Sequence, residues 1–126
     1  MRILLDSHVA LWWLTDDAST GAHCRQVIAS ADRAFVSAVT PWELGIKQAL
    51  GKLTMPDGLM EELESQGFLR LAITAEHATH ASRLPAHHRD PFDRMLIAQA
   101  QLEGLTLVSA DRNLDSYDVE LMDARA

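Results

Sequence analysis

Arg2-Ile3-Leu4-Leu5-Asp6-Ser7-His8-Val9-Ala10-Leu11-Trp12-Trp13-Leu14 sets the architecture of this chain. Ile3-Leu4-Leu5 is apolar without alternation and stops at Asp6, and a helix-like apolar stretch, Val9 to Leu14, follows at once. An apolar run without polar alternation reads as a strand buried on both faces, as in the middle of a parallel sheet. The Asp6 carboxylate then stands just past the strand's C-terminal end, the edge at which open α/β sheets place their ligands. The other informative features of the sequence are acids that the same kind of fold would bring to that edge.

The 126 residues predict a single domain, 1–126, large enough to bury one core, and 48% hydrophobic content fits a compact protein. The one cysteine, Cys24, forms no intrachain disulfide and reads as a small core residue. Asp6 and His8 break the first apolar run too early for a signal peptide. No run approaches the roughly 20 apolar residues of a membrane span, so the expected location is cytoplasmic. A net charge of −7 argues, taken alone, against a nonspecific nucleic-acid binder. It decides little if several of the 18 acids surround divalent cations that cancel their charge. The basic residues are mostly arginine, which suits phosphate better than lysine does.

Along the chain, helices alternate with short strands. A helix is expected from about Thr20 to Ser30, with Cys24, Val27 and Ile28 on its apolar side, then a strand at Ala34–Ser37. Thr40-Pro41-Trp42-Glu43 reads as a threonine cap, proline at the first helical position and an acid at the third, with Gly51 as the end. Met55-Pro56 starts another helix, with Leu59, Met60 and Leu63 on one face, and Gly67 breaks it. Phe68–Ile73 reads as a strand and Thr74 as the cap of a helix through about Leu84. Asp90-Pro91-Phe92-Asp93 repeats the cap, proline, acid pattern and opens a helix to Glu103, ended by Gly104. Leu105–Val108 is a fourth strand ending in Ser109-Ala110-Asp111, and Val119–Met122 a fifth. Such alternation implies a parallel sheet with right-handed crossovers.

Asp6 and Asp111 each follow a strand directly, so in a parallel sheet both stand on its carboxyl edge; each equally suits the cap of the next turn. Glu43 and Asp93 each sit third in a helix opened by proline, where a capping box is the simpler reading; Glu43 also suits an exposed pair with Lys47. Asp93 heads the inward stripe of Ile97 and Ala100, and a buried, unpaired carboxylate is costly enough to favour a partner such as a cation. Four converging carboxylates repel one another unless a metal ion lies among them, and hard oxygen ligands suit Mg²⁺ or Mn²⁺ rather than Zn²⁺. Such a site activates water and stabilises charge developing on a phosphodiester.

Leu4-Leu5-Asp6-Ser7-His8, Ser37-Ala38-Val39-Thr40-Pro41-Trp42-Glu43, Asp90-Pro91-Phe92-Asp93-Arg94-Met95-Leu96-Ile97-Ala98-Gln99-Ala100 and Ser109-Ala110-Asp111, in this order, resemble PIN-domain proteins, most of all the VapC toxins of bacterial toxin–antitoxin pairs. The resemblance spans nearly the whole chain. Each motif alone is weak, and the four together are specific. It implies a three-layer α/β/α sandwich around a short, mainly parallel sheet of four to five strands. It also implies an endoribonuclease dependent on Mg²⁺ or Mn²⁺, acting on RNA and held inactive by a VapB-like antitoxin, in a homodimer or a toxin–antitoxin hetero-oligomer. Residue by residue, Asp6, Glu43, Asp93 and Asp111 match the family's four acids, with Asp6 and Asp93 the closest ligands. Ser7 and Ser109 stand where the family often carries a hydroxyl near the metal. Arg94 and Arg112, each beside one of these acids, are candidates for substrate phosphate or a partner's carboxylate.

Asp90 is assigned to the helix cap. His87, His88 and Arg89 read as a solvated loop, and two histidines, His77 and His80, make too poor a metal site to count. Trp12, Trp13 and Trp42 read as core. A receiver domain needs a paired acid after the first strand and a lysine after the last; Ser7 follows Asp6, and Lys47 and Lys52 are both central. A haloacid-type phosphatase needs a second aspartate two residues after the first, and position 8 is histidine. A PIN-like module that binds metal or a partner without turnover is the remaining alternative.

Overall fold

The computed structural model describes residues 1–126. Five strands, β1 (Arg2–Leu5), β2 (Arg33–Ser37), β3 (Leu69–Leu71), β4 (Thr106–Ser109) and β5 (Leu121–Asp123), form one sheet in the order β3-β2-β1-β4-β5. Every neighbouring pair is parallel. Ile3 stands opposite Ala34 on one side and Thr106 on the other, so β1 is the central strand. The apolar run that ends at Asp6 is buried on both sides, with Ile3, Leu4 and Leu5 all fully inaccessible. The expected α/β/α sandwich is the fold found.

Helices α1 (Ser7–Thr15), α2 (Ala22–Ser30), α3 (Val39–Ala49), α4 (Leu59–Ser65), α5 (Ala75–Arg83) and α6 (Pro91–Glu103) fill the crossovers. Alternate strand residues face opposite layers, as strand geometry requires. Ile3, Leu5, Val36 and Val108 pack with Val9 of α1, Ile28 of α2, Leu44 of α3 and Leu63 of α4. Leu4 and Leu107 pack on the other face with Leu96, Ile97 and Ala100 of α6. Cys24 lies in the first of these clusters, fully buried, as its small apolar character predicts.

Local chemistry accounts for the element ends. Asp90 accepts from the N–H groups of Phe92 (2.8 Å) and Asp93 (3.3 Å), Pro91 takes the first helical position, and Gly104 closes α6 in the left-handed region. Thr74 and His77 form a reciprocal capping box at α5, which gives His77 a structural task. The start of α3 departs from expectation. It begins at Val39, whose N–H is taken by the Ser37 hydroxyl (3.0 Å), so Thr40 is not the cap. Helix α4 starts at Leu59 rather than at Met55-Pro56, because Gly58 adopts φ +68° and turns the chain there. β3 and β5 are shorter than, or displaced from, the expected Phe68–Ile73 and Val119–Met122. Trp12 and Trp13 pack against the core, but Trp42 is 59% exposed and meets Phe92 edge-on at 4.9 Å, so it is not a core residue.

Candidate active site

The strand order reverses between β1 and β4, and the two acids that follow these strands, Asp6 and Asp111, stand at that switch point. Asp6 caps α1 by accepting from the His8 N–H (3.1 Å), and its other oxygen accepts from the Ser109 hydroxyl (2.6 Å). Burial pushes the Asp6 carboxyl up, but hydrogen bonds from His8 and Ser109 outweigh it and leave the pKa below the ordinary value. The His8 ring stands 3.9 Å from the same carboxylate, and that partner raises the imidazole's own pKa against the effect of burial. Ser109 also accepts from the Asp111 N–H (3.1 Å), so one buried hydroxyl aligns two acids. Asp111 caps the 3₁₀ turn Arg112–Ser116 by accepting from the Asn113 N–H (2.9 Å).

Glu43 and Asp93 come from the helix layer. Glu43, 2% exposed on α3, accepts from Lys47 Nζ at 2.6 Å through Oε2, while its buried Oε1 has no partner. The expected Glu43–Lys47 pair therefore exists, but it is buried rather than exposed. Asp93, 9% exposed, lies in the first turn of α6. Burial and then the charges of Asp6, Asp90 and Glu43 push its pKa up to about 7, against a smaller opposing pull from His88. Lys47, whose pKa is raised by Glu43, Asp90 and Asp93 despite its burial, is the one ammonium in this group.

His88 joins the site, contrary to its reading as solvated loop. Its Nε2 lies 2.8 Å from Asp93 Oδ2 and 3.4 Å from Asp111 Oδ2, without hydrogen-bond alignment to either. The loop that carries it is tied down: Tyr117 Oη accepts from the His88 N–H (2.9 Å) and donates to the Pro85 carbonyl (2.8 Å). No local pattern marks this histidine, since the Tyr117 tether lies 29 residues away. His87 and Arg89, its neighbours, are exposed as expected.

Three of the side chains expected near the metal or the substrate are engaged within the fold. The Arg94 guanidinium donates to the carbonyls of Pro85, His88, Ala81 and Leu84 and to Tyr117 Oη, at 2.9–3.4 Å, so it braces the loop before α6. Ser7 is fully buried and its hydroxyl pairs with Thr40 across α1 and α3 (3.0 Å). Ser109 is engaged by Asp6 and Asp111. Arg112 is exposed, on the rim of a shallow cavity of about 310 Å³ that also meets Asp111 and Asp115. A second cavity, about 230 Å³, opens beside the acids between Asp6, His8, Trp12, Asp111 and Arg125.

Together these features define an α/β/α domain with a buried acid cluster built at the switch point of a parallel sheet. The chain belongs to the PIN-domain family, matching it over residues 3–120. It is 34% identical, over 91% of either chain, to Ribonuclease VapC22 of Mycobacterium tuberculosis, and so is a homologue of a VapC-type ribonuclease. Its fold is shared with a solved complex, VapBC2 from Rickettsia felis bound to a promoter DNA fragment (TM-score 0.71, 13% identity, 97% of this chain and 98% of that one). DNA-bound VapBC from Salmonella typhimurium is equally similar in fold (TM-score 0.71, 19% identity, 98% of either chain). No helix is long and apolar enough to cross a membrane.

Proposed function

We propose that the protein is a metal-dependent endoribonuclease toxin of a toxin–antitoxin pair, with Asp6, Glu43, Asp93 and Asp111 as its catalytic acids. One observation carries the reading: a buried carboxyl, Asp93, held near pKa 7 by burial and by three neighbouring acids. Such a cluster is unfavourable by itself and becomes favourable around a cation. The donor set fits Mg²⁺ or Mn²⁺, being all carboxylate oxygen among these four, with Glu43 Oε1 buried and free of partners. Asp6 and Asp93 would hold the ion, with Glu43 and Asp111 acting directly or through water. When bound, the cation supplies a more acidic water and a counter-charge for the phosphodiester in its transition state.

The chain's own residues supply the rest. The Ser109 hydroxyl fixes the orientation of Asp6, and Lys47 neutralises one oxygen of Glu43 and leaves the other available. Arg112 and Arg125, on the rims of the two cavities, suit the backbone phosphates on either side of the cut. The acidic pocket matches an antitoxin segment that carries arginine. The name of the relative and the antitoxin complexes among proteins of the same fold support this reading.

Purified, antitoxin-free protein should cut a mixed tRNA and rRNA pool at discrete positions with Mg²⁺ or Mn²⁺ and not without them. Asp93→Asn, prepared identically, should lose at least about a hundredfold in rate. Equal cleavage by both samples would trace it to a contaminant. Metal binding without cleavage of any RNA would favour the idle binding module.

A further inference from the structure

We infer that His88 is a further ligand of the same cation, making the site a mixed nitrogen–oxygen one that favours Mn²⁺ over Mg²⁺; this rests on the metal-nuclease reading above. The argument is geometric. Octahedral ligand atoms at about 2.0–2.1 Å from a cation stand about 3 Å from their neighbours. His88 Nε2 is 2.8 Å from Asp93 Oδ2 and 3.4 Å from Asp111 Oδ2, and the three atoms lie within 4.8 Å of one another. The two separations from the nitrogen have the spacing of neighbouring ligand atoms in such a coordination sphere. The nitrogen is buried and makes a hydrogen bond with neither carboxylate.

The backbone that carries the ring is also held in place from both sides. Tyr117 Oη holds the His88 N–H, Arg94 Nη1 holds its carbonyl (3.3 Å), and both also grip the Pro85 carbonyl. The loop from Pro85 to Asp90 is thereby clamped to α6 and to the segment after β4, the two elements that carry Asp93 and Asp111. An imidazole donor suits first-row transition ions better than it suits Mg²⁺, which retains oxygen ligands and water.

The test uses Mn²⁺ alone on the full chain. Pulsed electron paramagnetic resonance of the Mn²⁺-loaded protein should show ¹⁴N coupling, absent from His88→Gln and retained in His8→Gln and His87→Gln. Calorimetry should show Mn²⁺ affinity falling at least about tenfold in His88→Gln, and the preference for Mn²⁺ over Mg²⁺ narrowing with it. Mn²⁺ binding that is lost in Asp93→Asn but shows no nitrogen coupling would overturn the role of His88 and leave the metal site standing. No Mn²⁺ binding at all would overturn both. Coupling that persists in His88→Gln overturns the assignment. If His88→Gln does not fold, coupling retained in both His8→Gln and His87→Gln supports His88, and loss in either overturns it.

Discussion

Asp93 makes the metal-free protein sensitive to pH. Its folded pKa, about 7, lies above the ordinary 3.8, so its contribution to stability is full below about pH 4 and is lost as pH rises through 7. Thermal melts of metal-free protein should fall between pH 6 and pH 8, and Asp93→Asn should melt higher at pH 8 by roughly 5 °C. His8, raised by Asp6, adds a slope of the same sign that both proteins share, so the difference between their curves isolates Asp93. Parallel curves would remove Asp93 as the source. Asp6 behaves in the opposite sense. Its pKa is lowered, so its stabilisation is present above the ordinary value and is lost as pH falls. Ser109→Ala deprives that buried carboxylate of a donor, at a cost of about 1–3 kcal/mol, and should move the acid-unfolding midpoint, followed by circular dichroism, to higher pH. The four acids were legible because each adjoins a strand end or a proline-opened helix. His88 was not, because its placement depends on a tyrosine far along the chain.

Among the elements, β1 carries the core on both faces. Leu4 packs on the α6 side while Ile3 and Leu5 pack on the other. Leu4→Ala should cost about 2–5 kcal/mol in a denaturant titration, since the cavity would lie between close-packed layers. The loop before α6 depends on the Arg94 fork, which a point charge cannot reproduce. Arg94→Lys should speed amide hydrogen exchange at His88 at least about tenfold while leaving α6 protected. Equal exchange in the two proteins would show that Tyr117 alone holds the loop. The start of α6 was readable because its cap, proline and closing glycine are all local. The start of α3 was not, since Ser37 belongs to the preceding strand and Ser7 draws the Thr40 hydroxyl away. The exposure of Trp42 was hidden for a similar reason: a tryptophan's pattern does not say which neighbour leaves its face open.

At the scale of the whole molecule, a chain of net charge −7 gathers part of that charge into one buried cluster, so a cation that binds there stabilises the fold by mass action. Mn²⁺ or Mg²⁺ at about a hundred times its dissociation constant should add about 2.7 kcal/mol, reversed by a chelator and absent in Asp93→Asn. The architecture was legible as a whole because helices and short apolar strands alternate without interruption, which leaves few arrangements open. The sheet order has a consequence for synthesis as well. β1 leaves the ribosome first, yet its partner β4 follows about a hundred residues later, when Thr106 meets Ile3. A chain made from its N-terminus therefore carries Asp6 apart from Asp93 and Asp111 until those later segments have been made. The ribosome that builds this polypeptide handles scattered acids, and they are gathered only once β4 has emerged and found its place.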